Sequence, residues 1–96
     1  MATFISLLNF TDQGIRNVKE TLSRAETFTA LATKAGLSVK SIHWTSGNYD
    51  LVVVTEGSDE AAMASLLSLG ALGNVRTQTL RAYGAAEMKK IISQMP

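Results

Sequence analysis

Cysteine is missing from this chain altogether, and histidine, tryptophan and proline occur once each. Without thiols there is no disulfide, no thiolate nucleophile and no sulfur ligand for a metal. One imidazole is too few for a transition-metal centre, which wants several nitrogen or sulfur donors, so neither metal nor cofactor is expected. Charge of one sign is lacking too: nine Lys and Arg against eight Asp and Glu leave +1. That balance creates no field to recruit a polyanion, which speaks against nucleic acid or an anionic membrane as obligate partner. No apolar run approaches the ~18 residues that a spanning helix needs. The stretch MATFISLLNF has neither a basic lead nor a long apolar core, so it does not read as a secretory signal, and a cytoplasmic location is expected.

What is present is a globular composition, 46% hydrophobic and 18% charged over 96 residues. Residues 1–96 are therefore expected to form one domain. Thr3 to Phe10 is rich in Phe, Ile and Leu and reads as a strand. Thr11 or Asp12 then caps a long helix, its apolar face set by Ile15, Val18, Leu22, Ala25, Phe28, Leu31, Ala32 and Ala35, and Gly36 stops it. VKSIHWT (Val39 to Thr45), the turn Ser46-Gly47-Asn48 and the run from Tyr49 to Glu56 form a hairpin. Ser58 or Asp59 opens a second helix, apolar nearly all round, which reaches about Leu72. Val75 to Tyr83 is a polar strand, and Ala85 to Gln94 a terminal helix with Met88, Ile91, Ile92 and Met95 as its docking stripe. The order β-α-β-β-α-β with one appended helix is that of the ferredoxin-like α+β fold, in which right-handed crossovers place the first and third strands centrally.

One strand is greasy on both sides. Leu51 and Val53 alternate with Val52 and Val54, and in the first strand Phe4, Leu8 and Phe10 alternate with Ile5 and Leu7. A sheet with one wet face should alternate apolar with polar. A second copy packed sheet to sheet would cover the extra face, so a homodimer, or a higher oligomer built on it, is expected.

The spaced motif Gly47, Tyr49, Asp50, followed by LVVVTEGSDE, resembles the GYD family of small uncharacterised proteins, with Asn48 standing between the glycine and the tyrosine. ISLLNFTDQGIRNVKET and GNVRTQTLRA extend the resemblance over most of the chain. It implies the dimeric α+β barrel group and brings no established reaction. A similar Gly-x-Tyr-Asp turn precedes an apolar strand in the ligand-sensing domain of leucine-responsive regulators, which implies small-molecule sensing.

Each chemistry-bearing residue has a bland use beside a functional one. Gly47 and Asn48 suit a tight turn, Asp50 can bond nearby backbone amides, and Tyr49 can simply pack. His43 lies in the strand beside that turn, so His43 and Asp50 are the candidate acid–base pair, the alternative being an exposed sheet histidine. Arg76, Gln78 and Arg81, with Thr77 and Thr79, make the last strand either a carboxylate-binding wall or a charged, protected edge strand. Asn9, Tyr49, Asp50, Arg76 and Arg81 are the candidate ligand-binding groups, set in an apolar pocket between sheet and helices; which of them share a face depends on register. The central strands lack the stacked aromatics of an RNA-binding sheet. The expectation is a homodimeric, small-molecule-binding or accessory protein. The alternatives are a cofactor-independent enzyme resembling the small monooxygenases or isomerases of this fold, and a purely structural subunit.

Overall fold

The computed structural model describes residues Met1–Pro96. Strands β1 (Ala2–Phe10), β2 (Ser38–Trp44), β3 (Leu51–Gly57) and β4 (Val75–Ala82) form one antiparallel sheet in the order β2-β3-β1-β4. Helices α2 (Thr21–Lys34) and α3 (Asp59–Ala71) cover one face, while the short α1 (Asp12–Arg16) and the terminal α4 (Ala85–Ser93) lie outside that layer. The first and third strands are central, as the crossover rule requires. No helix is long and apolar enough to cross a membrane.

Local chemistry accounts for most boundaries. Thr11 Oγ1 accepts from the Gly14 amide at 3.1 Å and so caps α1, and Ser58 Oγ does the same for Ala61 at the start of α3. At the end of α2, Gly36 takes φ +90°; its amide donates to Thr33 O and the Leu37 amide to Ala32 O. That is a Schellman stop, and it drives Leu37 into the core.

The single long helix expected over residues 12–35 is broken. α1 gives way at Asn17 to a 3-10 turn (Val18–Glu20) before α2 begins. Asn17 Nδ2 turns back onto Gln13 O, and the Arg24 guanidinium donates to Asn17 O at 2.8 Å and Gly14 O at 3.2 Å, satisfying carbonyls that the break would strand. Gly14 also pins α1: a Cβ there would sit 1.9 Å from Asn74 O, so only glycine allows this approach. As a result Ile15, Val18 and Leu22 are exposed, and the apolar face of α2 reaches the core only through Phe28 and Ala32.

The core lies between helices and sheet. It contains Phe4 and Leu8 of β1, Leu51 and Val53 of β3, Val75 of β4, Phe28, Ala32 and Leu37 from the α2 side, and Ala61 and Ala62 of α3. The small residues of α3 allow it to sit close, over a seam where Ser6 and Thr79 share a 2.8 Å hydrogen bond. α4 does not dock on this body. None of its residues is buried, and the expected stripe of Met88, Ile91, Ile92 and Met95 is exposed. The molecule is correspondingly drawn out, 50 × 31 × 18 Å.

Candidate functional site

Register decides which side chains can meet. On the open face, facing residues form rows across the sheet: Ser41, Val54, Ile5 and Leu80 make one, and His43, Val52, Leu7 and Gln78 the next. Asn9 faces Arg76 in the row beyond. The aliphatic middle of the face is thus bordered at one end by polar groups.

The turn expected at residues 46–48 is a wider loop, and β3 begins at Leu51 rather than Tyr49. Gly47 holds φ +122°, which no side-chain-bearing residue adopts without strain. Asp50 bonds an amide as expected, but one 40 residues away: Phe10 N–H donates to Asp50 Oδ2 at 2.8 Å, and the Asp50 amide donates to Leu8 O at 2.8 Å. The side chain stands in for the carbonyl that β3 no longer offers as it leaves β1. Tyr49 then folds across the open face. Its hydroxyl donates to Gln78 Oε1 at 3.0 Å, which requires the phenol to span the width of β1.

Asn9 and Arg76 are cross-strand neighbours, and neither side chain has a hydrogen-bonding or ionic partner within the chain. With Tyr49 and Gln78 they make a donor-rich corner beside Leu7 and Val52. A free guanidinium fork next to a carboxamide suits a carboxylate. No three His, Asp or Glu side chains converge anywhere, so the corner offers no ready set of metal ligands.

Arg81 lies on the opposite face, opposite Phe4. Its guanidinium stacks 4.6 Å from the Tyr83 ring centroid and 5.8 Å from that of Phe4, pairs with Glu87 at 3.5 Å, and donates to the carbonyls of Thr3 and Ala82. It is fully engaged and cannot join Arg76. His43 is exposed on the edge strand, about 14 Å or three strand spacings from Gln78, and makes no bond to Asp50. The supposed acid–base pair is not assembled. Trp44 points to the helix side, donating from Nε1 to Thr21 Oγ1 at 3.0 Å.

The space between sheet and helices, where a pocket was expected, is filled. It holds gaps of only about 10 and 50 Å³, against the ~300–1,000 Å³ of ordinary ligand pockets. Sequence reasoning placed Gln78 in the polar last strand but missed that it is the partner of Tyr49, and it missed Gln13, whose amide nitrogen donates to Leu72 O and Asn74 Oδ1. The latter, with Thr11 donating to Gly73 O, latches the β1–α1 loop to the turn before β4. No local signal marks either contact, since both join distant segments.

The GYD domain family model matches residues 4–92. The chain belongs to the GYD family. Its motif residues Gly47, Tyr49 and Asp50 are those that carry the loop over the open face. No curated protein matches this GYD chain in sequence. Among solved structures it is similar to FFRP-DM1, at 19% identity and TM-score 0.58, over 86% of this chain and 100% of that one. It is also similar to a homoserine dehydrogenase from Thiobacillus denitrificans, at 16% identity and TM-score 0.57, over 83% of this chain but only 17% of that one. At these identities the likeness establishes the ferredoxin-like fold alone.

Proposed function

We propose that this GYD domain works as a homodimer whose open sheet faces stack, and that the corner formed by Asn9, Arg76, Tyr49 and Gln78 holds a small, partly apolar carboxylate at the edge of the stacked faces. One observation carries the reading. An aliphatic face of Ile5, Leu7, Val52, Val54 and Leu80 has no helix packed over it and is crossed at one end by Tyr49, and the polar groups bordering it include an unpartnered guanidinium. The aliphatic part favours a second copy or an apolar ligand body, and the corner supplies the few oriented polar groups that give a pocket its specificity.

Light scattering at micromolar concentration tests the dimer; a mass of 10.3 kDa, that of one chain, overturns it. Thermal shift with a panel of small aliphatic and aromatic carboxylates tests the site. A ligand bound only by the native state stabilises it by about 2.7 kcal/mol at one hundred times its dissociation constant. The shift should vanish in Arg76→Ala and persist in Arg81→Ala. A shift indifferent to Arg76 removes the corner from the proposal.

A further inference from the structure

The terminal helix is the least explained part of the molecule. At nine residues, α4 is shorter than the ~12–15 residues at which an isolated helix becomes even marginally stable in water. Its own chain gives it only a foothold: Glu87 accepts from the Gly84 amide at 3.2 Å and pairs with Arg81 at 3.5 Å. Its stripe of Met88, Ile91, Ile92 and Met95 touches no core.

A surface of matching chemistry lies elsewhere on the same chain. An open groove of about 450 Å³ runs between α3 and the edge strand β4, lined by Met63, Leu67 and Ala71 on one side and by Arg76, Thr77 and Thr79 on the other. From Met63 to Ala71 the helical wall is about 12 Å long, close to the ~13.5 Å of a nine-residue helix. Acidic Asp59 and Glu60 stand at the head of α3, one turn before Met63, and basic Lys89 and Lys90 flank the apolar stripe of α4.

We propose that α4 is an arm that docks in the α3–β4 groove of a second copy, its methionine and isoleucine side chains on Met63 and Leu67 and its lysines toward Asp59 and Glu60. The occupant is another molecule of the same chain because that chain carries both halves of the contact unpartnered. The Arg81–Glu87–Gly84 foothold holds the arm clear of its own groove. The contact uses a surface other than the open sheet face and does not need the sheets to stack.

The absence of cysteine makes cross-linking clean. Ile92 and Leu67 are 56% and 66% exposed, so a cysteine at either leaves the fold intact. Ile92→Cys chain is mixed with a size-tagged Leu67→Cys chain and oxidised at micromolar concentration. The mixed disulfide should dominate on a non-reducing gel and fall at least tenfold when Ile91→Lys is added to the arm. Three outcomes overturn the proposal: a mixed product no stronger than with Leu22→Cys, which is equally exposed but lies on α2; a predominance of Ile92→Cys self-linked chains; or a bridge formed within one chain carrying both cysteines. Self-linking of a Val52→Cys chain reads sheet stacking separately, so either contact can fail alone.

Discussion

The two faces of the sheet are made by alternate residues of the same strands, and they differ in an unexpected direction. The helix-covered face mixes Phe4, Leu8, Leu51 and Val53 with the hydroxyls of Ser6, Thr55 and Thr79. The open face is the more uniformly aliphatic at its centre, with Ile5, Leu7, Val52, Val54 and Leu80 side by side. Hydrophobicity along a strand therefore does not mark which side the monomer covers. The covered face can hold hydroxyls because α3 sits close above them and Ser6 and Thr79 satisfy each other. The uncovered face has no such supply of partners, and its composition fits a surface that meets other apolar matter.

The neighbours Val53 and Val52 test that contrast most severely. Val53→Asp puts a carboxylate into the core without a partner, a cost of several kcal/mol in a domain whose whole stability is about 5–15 kcal/mol. The expected result is loss of the native far-UV circular dichroism at 25 °C. Val52→Asp, one residue away, should keep the native spectrum and reduce the mass seen by light scattering to that of one chain. Equal unfolding by both would erase the distinction between the faces.

Asp50 separates fold from function at the polar end. Asp50→Ala leaves the half-buried Phe10 amide without its acceptor and should cost about 1–3 kcal/mol in urea denaturation. Asp50→Asn retains an acceptor oxygen and should cost no more than about 1.5 kcal/mol, the worth of a typical hydrogen bond. If alanine costs nothing measurable, the carboxylate is free for chemistry on the open face.

On the covered side, Ser65 has 0% exposure, and its hydroxyl is the one buried side-chain polar atom without a partner. Ser65→Ala should therefore stabilise, by about 1 kcal/mol, by removing an unmatched polar group from the interior of a helix. The gain would appear as a higher urea midpoint at unchanged slope. A loss instead would mean that the hydroxyl is satisfied in solution, for example by the carbonyl one turn back.

Element order, central strands and the Gly36 stop were legible because each follows from local chemistry: alternation, capping and a left-handed glycine. The two-faced strand was legible as well, since Leu51 to Val54 cannot all face one way. What could not be read was whatever joins distant segments. The first helix breaks at Asn17, and the α1 it leaves is held where Gly14 meets Asn74, 60 residues on. Asp50 finds its amide across the sheet on Phe10. Arg76 and Arg81, an odd number of residues apart on one strand, fall on opposite faces, so only one can stand beside Asn9. The terminal helix was misjudged for a related reason: its periodic stripe reads as one that packs on the chain's own body, yet Met88, Ile91, Ile92 and Met95 stay exposed, and periodicity alone does not say what a stripe meets.

The smallest expected effect belongs to neither face but to the root of that helix. The Glu87 carboxyl is held below its ordinary range chiefly because it accepts from the Gly84 amide, with further help from the Arg81 hydrogen bond and charge; desolvation pulls the other way without prevailing. A carboxylate whose pKa is lower in the folded state adds stability that is present above its unfolded value and disappears as pH falls through the folded one. The anchoring of α4 should therefore be intact at neutral pH and fade only below about pH 4.3, the ordinary range of a glutamate. The side chain is exposed, so global stability should hardly register the loss. The change should instead appear locally, as a pH-dependent shift of the Gly84 and Glu87 amide signals in NMR, with those of Ser6 and Val53, in the middle of β1 and β3, unmoved over the same range. Glu87→Gln should flatten that profile, because a neutral amide neither titrates nor pairs with Arg81. A Gly84 signal that still titrates in Glu87→Gln would assign the effect to another group and leave the arm's foothold to the Arg81 stack on Tyr83.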